Sequence, residues 1–336
     1  MSTLLRVDNL TVRFPSAEPV RNLSFEVEEG ETLAIVGESG SGKSLTALAL
    51  MRLLPKTAKI PTGKVSFDGR DLLAIEEREM RQLRGRDIGM IFQEPMTSLN
   101  PVLTIGKQIT EVLRLHEGLS AKAARARAIE LLDLVRIPDA HRRIDEYPHQ
   151  LSGGMRQRVM IAIAVACRPK LLIADEPTTA LDVTIQAQVL DLLDGLRREL
   201  DMALILITHD LGVVGQWADK VVVMYAGRKV EEALPDALFD TPLHPYTRGL
   251  LTASPRLNSD YHYSDGPLLE IPGSIVSAAG EQGCPFRPRC SVARASCGQA
   301  VPAMLIPAPG RLVACPFTTV PVPVPVGVEH VAALSL

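Results

Sequence analysis

The sequence predicts an α/β protein with a parallel sheet, because three of its stretches carry the patterns of buried strands around a glycine-rich loop. The apolar stretch TLAIVG leads into glycine-rich residues 37–44, and SLTALALMRLL then has the apolar density of a buried helix closed by Pro55. The stretches LLIADEP and ALILITHD are each a continuous apolar run that ends in charged residues. This pattern is typical of fully buried parallel strands. Strand, loop and helix follow in the order that a phosphate-binding loop requires.

The rest of the chain divides into a β-rich start, a helical middle and a proline-rich end. Residues 4–14 and 23–27 are alternating or β-branched and are predicted to be strands. Between about 107 and 166 the pattern is almost wholly helical, which indicates a separate helical subdomain. A helix over residues 184–200 is expected to connect the two later buried strands.

Composition limits the function classes. The 336 residues are 46% hydrophobic, enough for roughly two domains with a sizeable core. A formal charge of −3 gives no basic footprint, so we expect no nucleic-acid partner. No segment offers the roughly 18 uninterrupted apolar residues of a membrane-spanning helix, which predicts a soluble, cytoplasmic protein.

The glycine-rich loop fits G-x-x-x-x-G-K-[ST]. Glycines allow successive N–H groups to turn inward around phosphate oxygens, and the helix N-terminus adds partial positive charge. Lys43 is expected to reach the β- and γ-phosphates of ATP, and Ser44 to ligate Mg²⁺. A turn that merely caps a helix is the alternative, which the correct flanks disfavour. The loop residues predicted to bind ATP are Gly37, Glu38, Ser39, Gly40, Ser41, Gly42, Lys43 and Ser44.

A second part of the site is predicted at the end of the strand LLIAD. Asp175 would hold Mg²⁺ directly or through water. Glu176 follows it and is the candidate catalytic base, because a carboxylate there can orient or deprotonate the attacking water. The alternative is a polar strand end before a turn.

One stretch selects among the many families with such loops. Leu151-Ser-Gly-Gly-Met155, followed by Arg-Gln-Arg, resembles the signature sequence of ABC-type ATPases. Gln93 in IFQEP, Asp182 in TTALD and His209 in ITHD match three further motifs of that family in order and spacing. The resemblance spans residues 4–235. It implies a P-loop ABC-type ATPase core, with a RecA-like sheet, an antiparallel β subdomain and a helical subdomain.

The resemblance also implies roles for single residues. Gln93 would sense Mg²⁺ and the attacking water, and His209, a third catalytic candidate beside Lys43 and Glu176, would contact the γ-phosphate. Phe14 stands where the family stacks an aromatic ring on adenine. The residues that would lie against the nucleotide or interface of an opposing subunit, in a head-to-tail dimer, are Ser152, Gly153, Gly154 and Asp182. Helix caps for Ser152 and Asp182, a core histidine for His209 and a core Phe14 are the alternatives.

Three stretches, QEPMTSLNP, PLHPYTRGLL and GCPFRPRC, resemble the ATP-binding subunits of dipeptide and oligopeptide importers, of the longer type with a C-terminal extension. Such a protein pairs with a second, different ATPase subunit beneath two membrane permeases, at the cytoplasmic face of the membrane, and an extracytoplasmic peptide-binding protein feeds the complex. Residues 96–99 would grip a permease helix. Nickel, glutathione, antimicrobial peptide or oligosaccharide stays open as cargo. A nucleic-acid or ribosome ATPase would need paired cassettes or a basic arm, absent here.

The expected organisation is an ABC ATPase domain at residues 1–235, with its helical subdomain at about 95–166, and a small cysteine-bearing C-terminal domain at 236–320. The proline- and valine-rich residues 321–336 are typical of an extended arm or a partly disordered tail. The path of SIVSAAGEQ, where relatives carry more prolines, is not predicted.

Four cysteines, Cys284, Cys290, Cys297 and Cys315, are spaced C-x5-C-x6-C-x17-C. Structural zinc sites usually use C-x2-C knuckles, whereas thiolates on longer, proline-punctuated loops can enclose a cubane. We therefore expect a [4Fe-4S] cluster, with zinc as the less favoured alternative, and the importer resemblance implies the same cluster. Reduced core cysteines or a disulfide are the further alternatives. Cys167 is interpreted as core packing.

Overall fold

The computed structural model describes residues 2–93, 98–179, 181–253, 270–278 and 280–318, and within these ranges the strands form two sheets. The strands are β1 Thr3–Phe14, β2 Ala17–Glu28, β3 Thr32–Val36, β4 Lys59–Phe67, β5 Arg70–Asp71, β6 Ile88–Ile91, β7 Leu171–Asp175, β8 Ala203–Thr208, β9 Lys220–Tyr225, β10 Arg228–Ala233, β11 Leu305–Ala308 and β12 Arg311–Val313. The helices are α1 Lys43–Leu50, α2 Glu77–Leu83, α3 Ile105–Glu117, α4 Ala121–Leu134, α5 Ala140–Arg143, α6 Gly153–Ala164, α7 Val183–Leu200, α8 Leu211–Trp217, α9 Pro235–Asp240 and α10 Pro245–Ala253.

The larger sheet has the strand order β11-β12-β10-β9-β3-β8-β7-β6. Strands β9, β3, β8, β7 and β6 pair in parallel, and the other three pair antiparallel. Every residue of β3, β7 and β8 is buried, which is why these strands read as continuous apolar runs. The predicted α/β class is confirmed. The carboxyl ends of β3, β7 and β8 meet at one edge of the sheet, where ligands bind in open α/β folds.

The smaller sheet, of order β2-β1-β4-β5, is antiparallel and confirms the β-rich start. Its inner face packs on α1 and β3 through one apolar cluster that includes Leu5, Phe25, Ile35 and Leu50. Each such side chain contributes about 1.5–3 kcal/mol by leaving water. The glycine-rich loop is therefore anchored from both sheets.

Helix α1 is shorter than its apolar pattern predicted. The pattern runs to Pro55, but the helix ends at Leu50 because Arg52 has a left-handed φ of 50°. The N–H groups of Leu53 and Arg52 donate to the carbonyls of Leu48 and Ala49, at 2.8 and 3.0 Å, which is a Schellman termination. The prediction of helix beyond Leu50 was wrong because Arg52 occupies the left-handed position that ends a helix. Glycine usually occupies that position, so an arginine gives no sign of the helix end in the sequence.

The predicted helical stretches between 107 and 166 are confirmed as α3, α4 and α6. Helices α3 and α4 begin at side-chain caps, Thr104 and Ser120. Their buried faces join a cluster that also contains residues of β7, β8 and α7. This cluster includes Ile109 and Leu131, both fully buried. Across the described residues, no helix has the length and apolar character needed to cross a membrane.

The C-terminal region adds β11 and β12 to the edge of the larger sheet, where Glu231 of β10 pairs with Val313 of β12. Sequence reasoning predicted no strands there. A third apolar cluster, containing Tyr225, Tyr246 and Phe286, packs this region on the sheet. The predicted domain division at residue 235 stays a prediction, and the sheet is continuous across it. Residues 96–97 of the expected permease loop and the tail 321–336 lie outside the described residues.

Candidate functional site

The glycine-rich loop connects β3 to α1 and is held closely on two sides. A side chain at Gly42, whose φ is 100°, would place Cβ 2.2 Å from the carbonyl oxygen of Pro19. At Gly37, with φ of 152°, Cβ would lie 2.2 Å from the carbonyl oxygen of Met224. Only glycine fits either position. The remaining loop residues are the exposed Ser39 and Gly40, the half-buried Glu38 and Ser44, and the buried Ser41.

Lys43 is the first residue of α1 and is only 4% exposed. Its Nζ donates to the carbonyl oxygens of Gly37 at 2.7 Å and Glu38 at 3.1 Å, so it braces the loop from inside. Burial lowers the pKa of Lys43, and the charges of Glu176, Asp175 and Glu38 oppose that shift. A buried lysine at a helix N-terminus offers positive charge for a phosphate group.

Ser44 and Asp175 meet between α1 and the end of β7. The Ser44 hydroxyl donates to Oδ1 of Asp175 at 3.0 Å. Burial raises the pKa of Asp175, the Ser44 hydrogen bond lowers it, and the nearby Glu176 raises it. One carboxylate and one hydroxyl, completed by phosphate oxygens and water, are the donor set that Mg²⁺ uses in nucleotide sites. The pair therefore fits Mg²⁺.

Glu176 lies at the centre of a polar cluster beside this pair. Its Oε2 accepts from Nε2 of Gln93 at 3.1 Å and from the Thr179 hydroxyl at 2.9 Å, and Nδ1 of His209 lies 3.4 Å away. The structure thus brings together Gln93, Glu176 and His209, which are far apart in the sequence. Gln93 turns its amide toward Glu176, and its predicted Mg²⁺ contact stays a prediction.

The backbone of Glu176 is strained. Its φ of 46° is left-handed, which costs a non-glycine residue about 1–2 kcal/mol. The N–H of Glu176 donates to the carbonyl of Ile207 at 2.9 Å, which ties the strained residue to β8. Such strain concentrates at functional sites. The carboxylate is 13% exposed, as suits a base that must reach a water molecule.

His209 is not a core histidine, since its side chain is 63% exposed. It follows β8 and reaches back toward Glu176 across the strand ends. A proton on Nδ1 lets the ring donate to the carboxylate and leaves the rest of the ring facing outward. The sequence did not lead us to predict Thr179 as part of this cluster. A hydroxyl residue three positions after the candidate base, with Pro177 between them, could have indicated it.

Ser152 and Asp182 are exposed helix caps. The Ser152 hydroxyl accepts from the N–H of Met155 at 3.3 Å at the start of α6, and Asp182 accepts from Ile185 at 2.9 Å at the start of α7. The cap interpretations are confirmed. A side chain at Gly154 would come 3.1 Å from Ile185, whereas one at Gly153 would have more room. The roles of these residues toward an opposing subunit stay predictions.

Phe14 ends β1 and is half-buried against the cluster that anchors α1. Phe14 therefore packs against the core without being part of its buried interior. Its exposed part leaves the predicted adenine contact as a prediction. Glu38 makes a contact that sequence reasoning missed, because its carboxylate pairs with Arg289 of the C-terminal region.

The four C-terminal cysteines line one pocket beside Phe317. The N–H of Cys284 donates to the carbonyl of Cys297 at 2.7 Å, which joins two of the cysteine segments. Burial raises the pKa of Cys284 to about 11 and also raises the pKa values of Cys290 and Cys315.

The described cysteines form no disulfide, so that alternative is not supported. Within the described ranges, no group of three or more histidine, cysteine, aspartate or glutamate side chains is placed to hold a metal ion. Neither the cluster nor zinc is shown. Cys167 lies apart from the pocket, and burial raises its pKa to about 11, in keeping with core packing.

The parallel sheet, phosphate loop, acidic strand end and capped signature helix together define an ABC-type ATPase. The ABC transporter family matches residues 20–179, and the family described as the oligopeptide/dipeptide transporter C-terminal region matches residues 230–297. An ATP-binding cassette solved as a dimer with ADP and Pi superposes with a TM-score of 0.62 at 29% identity, covering 69% of this chain and 98% of that one. The predicted core fold is confirmed.

Curated relatives extend the likeness beyond the cassette. A putative peptide import ATP-binding protein of Brucella abortus is 55% identical over 318 residues, 93% of this chain and 94% of that protein. The oligopeptide transport ATP-binding protein OppD of Salmonella typhimurium is 51% identical, covering 94% and 93%. AppD of Bacillus subtilis is 52% identical, covering 94% and 97%. The chain belongs to the ABC transporter family, in the branch that carries the oligopeptide/dipeptide transporter C-terminal region.

Proposed function

We propose that this chain hydrolyses ATP to power a peptide importer, as one of two ATPase subunits beneath two membrane permeases. The observation that carries the catalytic part is the cluster in which Gln93, Thr179 and His209 surround the strained Glu176. The cargo rests on the relatives, which are named for peptide import and oligopeptide transport. An extracytoplasmic binding protein would deliver the peptide, and this subunit would sit at the cytoplasmic face of the membrane.

Each residue has a chemical task in that reaction. Lys43 and the loop N–H groups hold the β- and γ-phosphates, and Ser44 with Asp175 holds Mg²⁺. When bound there, Mg²⁺ would supply positive charge that offsets the charge on the phosphates. Glu176 accepts a proton from the attacking water while Gln93 and Thr179 hold its carboxylate. His209 contacts the γ-phosphate and helps to hold Glu176 and the water in place.

The active site requires a second subunit. The N-terminus of α6, capped by the hydroxyl of the exposed Ser152, presents the positive end of a helix dipole. We infer that Ser152, Gly153 and Gly154 cover the nucleotide held by the partner, and that Asp182 lies at the same interface. A different partner chain, rather than a second copy, is expected.

Transport by the purified complex tests this function. The tagged chain is isolated from its native membrane with its co-eluting subunits, placed in proteoliposomes with the binding protein, and assayed for ATP hydrolysis. Di- to pentapeptides are expected to raise the hydrolysis rate and to accumulate inside the vesicles. Nickel, glutathione and oligosaccharides, tested at equal concentration, are expected to do neither. Stimulation by one of these instead overturns the peptide assignment, and co-elution of ribosomes overturns the transport role.

We further propose that Cys284, Cys290, Cys297 and Cys315 hold a [4Fe-4S] cluster. All four line one pocket on loops with little regular structure. Four thiols are the number of ligands that a [4Fe-4S] cluster requires. The cluster would supply a covalent staple to a region that has a small core.

A pair of cysteine variants tests the cluster. Cys290→Ser, purified without oxygen, is expected to lose the broad visible absorbance and most of the bound iron, and to melt at a lower temperature. Cys167→Ser is the matched control, since Cys167 lies outside the pocket, and its absorbance is expected to stay unchanged. Equal iron content and absorbance in wild type and Cys290→Ser would remove the cluster from this protein.

A further inference from the structure

The phosphate loop carries an ion pair with the C-terminal region. Glu38 is the second residue of the loop, and both of its carboxylate oxygens accept from Arg289, at 2.6 and 2.9 Å. The two residues are 251 positions apart in the sequence. Bidentate arginine–carboxylate pairs fix orientation as well as distance. The outer side of the loop is therefore held by a residue far from the ATPase motifs.

Arg289 is itself held rigidly. Its side chain is 3% exposed. Its guanidinium also donates to the carbonyl oxygens of Pro272 at 2.8 Å and Ile271 at 3.2 Å, and it lies over the ring of Tyr225. A planar, multiply bonded guanidinium loses little further freedom when it pairs. Arg289 can therefore act as a fixed point for the loop.

Two further contacts join the same two regions. The N–H of Glu38 donates to the hydroxyl of Tyr246 at 2.8 Å, and Tyr246 is fully buried. The side chain of Ile275 lies beside the exposed Gly40 at the tip of the loop, 3.5 Å from where a Cβ on that glycine would stand. Residues after 240 therefore contact the loop at three points.

Glu38 connects Arg289 to Lys43. The Glu38 carbonyl accepts from Nζ of Lys43 at 3.1 Å, while the carboxylate of the same residue is held by Arg289. A shift of Glu38 would thus move a carbonyl that orients the phosphate-binding lysine. Loss of Arg289 would also leave a carboxylate without its cation close to the expected position of the phosphates, which repels them.

We propose that Arg289 is a positioning residue for nucleotide binding, which holds the phosphate loop in its binding geometry through Glu38. The C-terminal region then sets the affinity of the ATPase for Mg-ATP. This inference rests on the proposed binding of ATP at the loop. Arg289 touches neither nucleotide nor water in this reaction and acts only through Glu38 and the loop.

The test compares two neighbouring arginines in the full-length chain. Arg289→Ala is expected to weaken binding of a fluorescent ATP analogue about tenfold, because residues that influence a site without contacting its ligand change the coupling by about this amount. In the assembled ATPase, KM for ATP should rise more than kcat falls. Arg287→Ala is the matched control, since Arg287 makes a similar two-bond pair with the carboxylate of Glu281, away from the loop. Its affinity should stay unchanged. Arg289→Lys should recover part of the binding.

Further variants keep the test decisive if Arg289→Ala does not fold. Glu38→Gln removes the same ion pair from the loop side and should weaken binding similarly, and the double variant should be little worse than either single one. Unchanged affinity in folded Arg289→Ala or Glu38→Gln, with only a lower melting temperature, overturns the inference. Lys43→Ala separates the two proposals: if it retains full affinity, ATP does not bind at the loop and the proposed function fails.

Discussion

The nucleotide site and the cysteine pocket lie in one chain but are constructed differently. At the nucleotide site, Asp175 ends β7, Glu176 follows that strand, and Ser44 lies in the first turn of α1. At the cysteine pocket, the side chains lie on short turns and on the residues that follow β12. The first site is placed by a regular sheet, and the second by local loop contacts.

This difference decides what a substitution does in each region. The sheet places the proposed catalytic groups on rigid strand ends, so a single side-chain change there should alter chemistry and leave the fold intact. The cysteine region lies on loops that pack on the sheet through one shared apolar cluster, so changes there should alter stability first. The contact between Glu38 and Arg289 is one of three contacts between the C-terminal region and the phosphate loop.

The largest effect is expected at the centre of the nucleotide site. Glu176→Gln keeps the shape of the side chain but cannot take a proton, so kcat should fall by about 10²–10⁴-fold while ATP still binds. The variant should accumulate as a closed dimer with its partner subunit, measurable by size-exclusion chromatography with Mg-ATP. Glu199→Gln, on the exposed face of α7, is the control and should hydrolyse normally. Normal steady-state turnover by Glu176→Gln would remove that residue from the mechanism.

A pair of serine caps separates chemistry from stability in the same region. Ser152 and Ser120 each cap a helix with a 3.3 Å bond from a backbone N–H, so either alanine variant should lose ~1 kcal/mol of unfolding free energy. Ser152→Ala alone should slow hydrolysis by the assembled complex, by about 10²-fold, as loss of one donor to reacting charge does.

Binding of ATP by the isolated Ser152→Ala chain should stay normal, because its signature helix is proposed to cover the partner's nucleotide. Weak binding by that isolated chain would place Ser152 in its own site instead. Equal hydrolysis by the Ser152→Ala and Ser120→Ala complexes would leave Ser152 as a cap alone.

Site residues could be predicted from the sequence where they lie at the ends of regular strands, because the strand order then fixes where those residues lie. Asp175 ends β7, and His209 follows β8, the neighbouring parallel strand. The sheet therefore places the two residues at the same edge. Prediction failed where a single residue overrides a pattern. Arg52 ended α1 early by taking a left-handed conformation that its residue type does not signal. The strand β11 carries a proline, which is tolerated because β11 is the edge of the sheet.

Contacts between distant segments were the other failure. Nothing local in the sequence around Glu38 or Arg289 indicates that the two pair across 251 positions. The four cysteines could be grouped from their spacing, but the pocket they line depends on loops whose paths no propensity specifies. The Glu38–Arg289 pair and the cysteine pocket could therefore be found only from the three-dimensional structure.

Thr179 gives the smallest expected effect and tests how fully the nucleotide site was predicted. Its hydroxyl donates to Glu176 at 2.9 Å, and a hydrogen bond to a charged group contributes about 1.5–3 kcal/mol. Because part of that energy is recovered by water, Thr179→Ala should lower kcat about tenfold, with KM for ATP little changed. Thr178→Ala is the control, because its backbone carbonyl, which the substitution keeps, accepts from Gln186. Equal kcat values for the two variants would mean that Gln93 and His209 suffice to hold the base, and that the motifs visible in the sequence already account for the whole cluster.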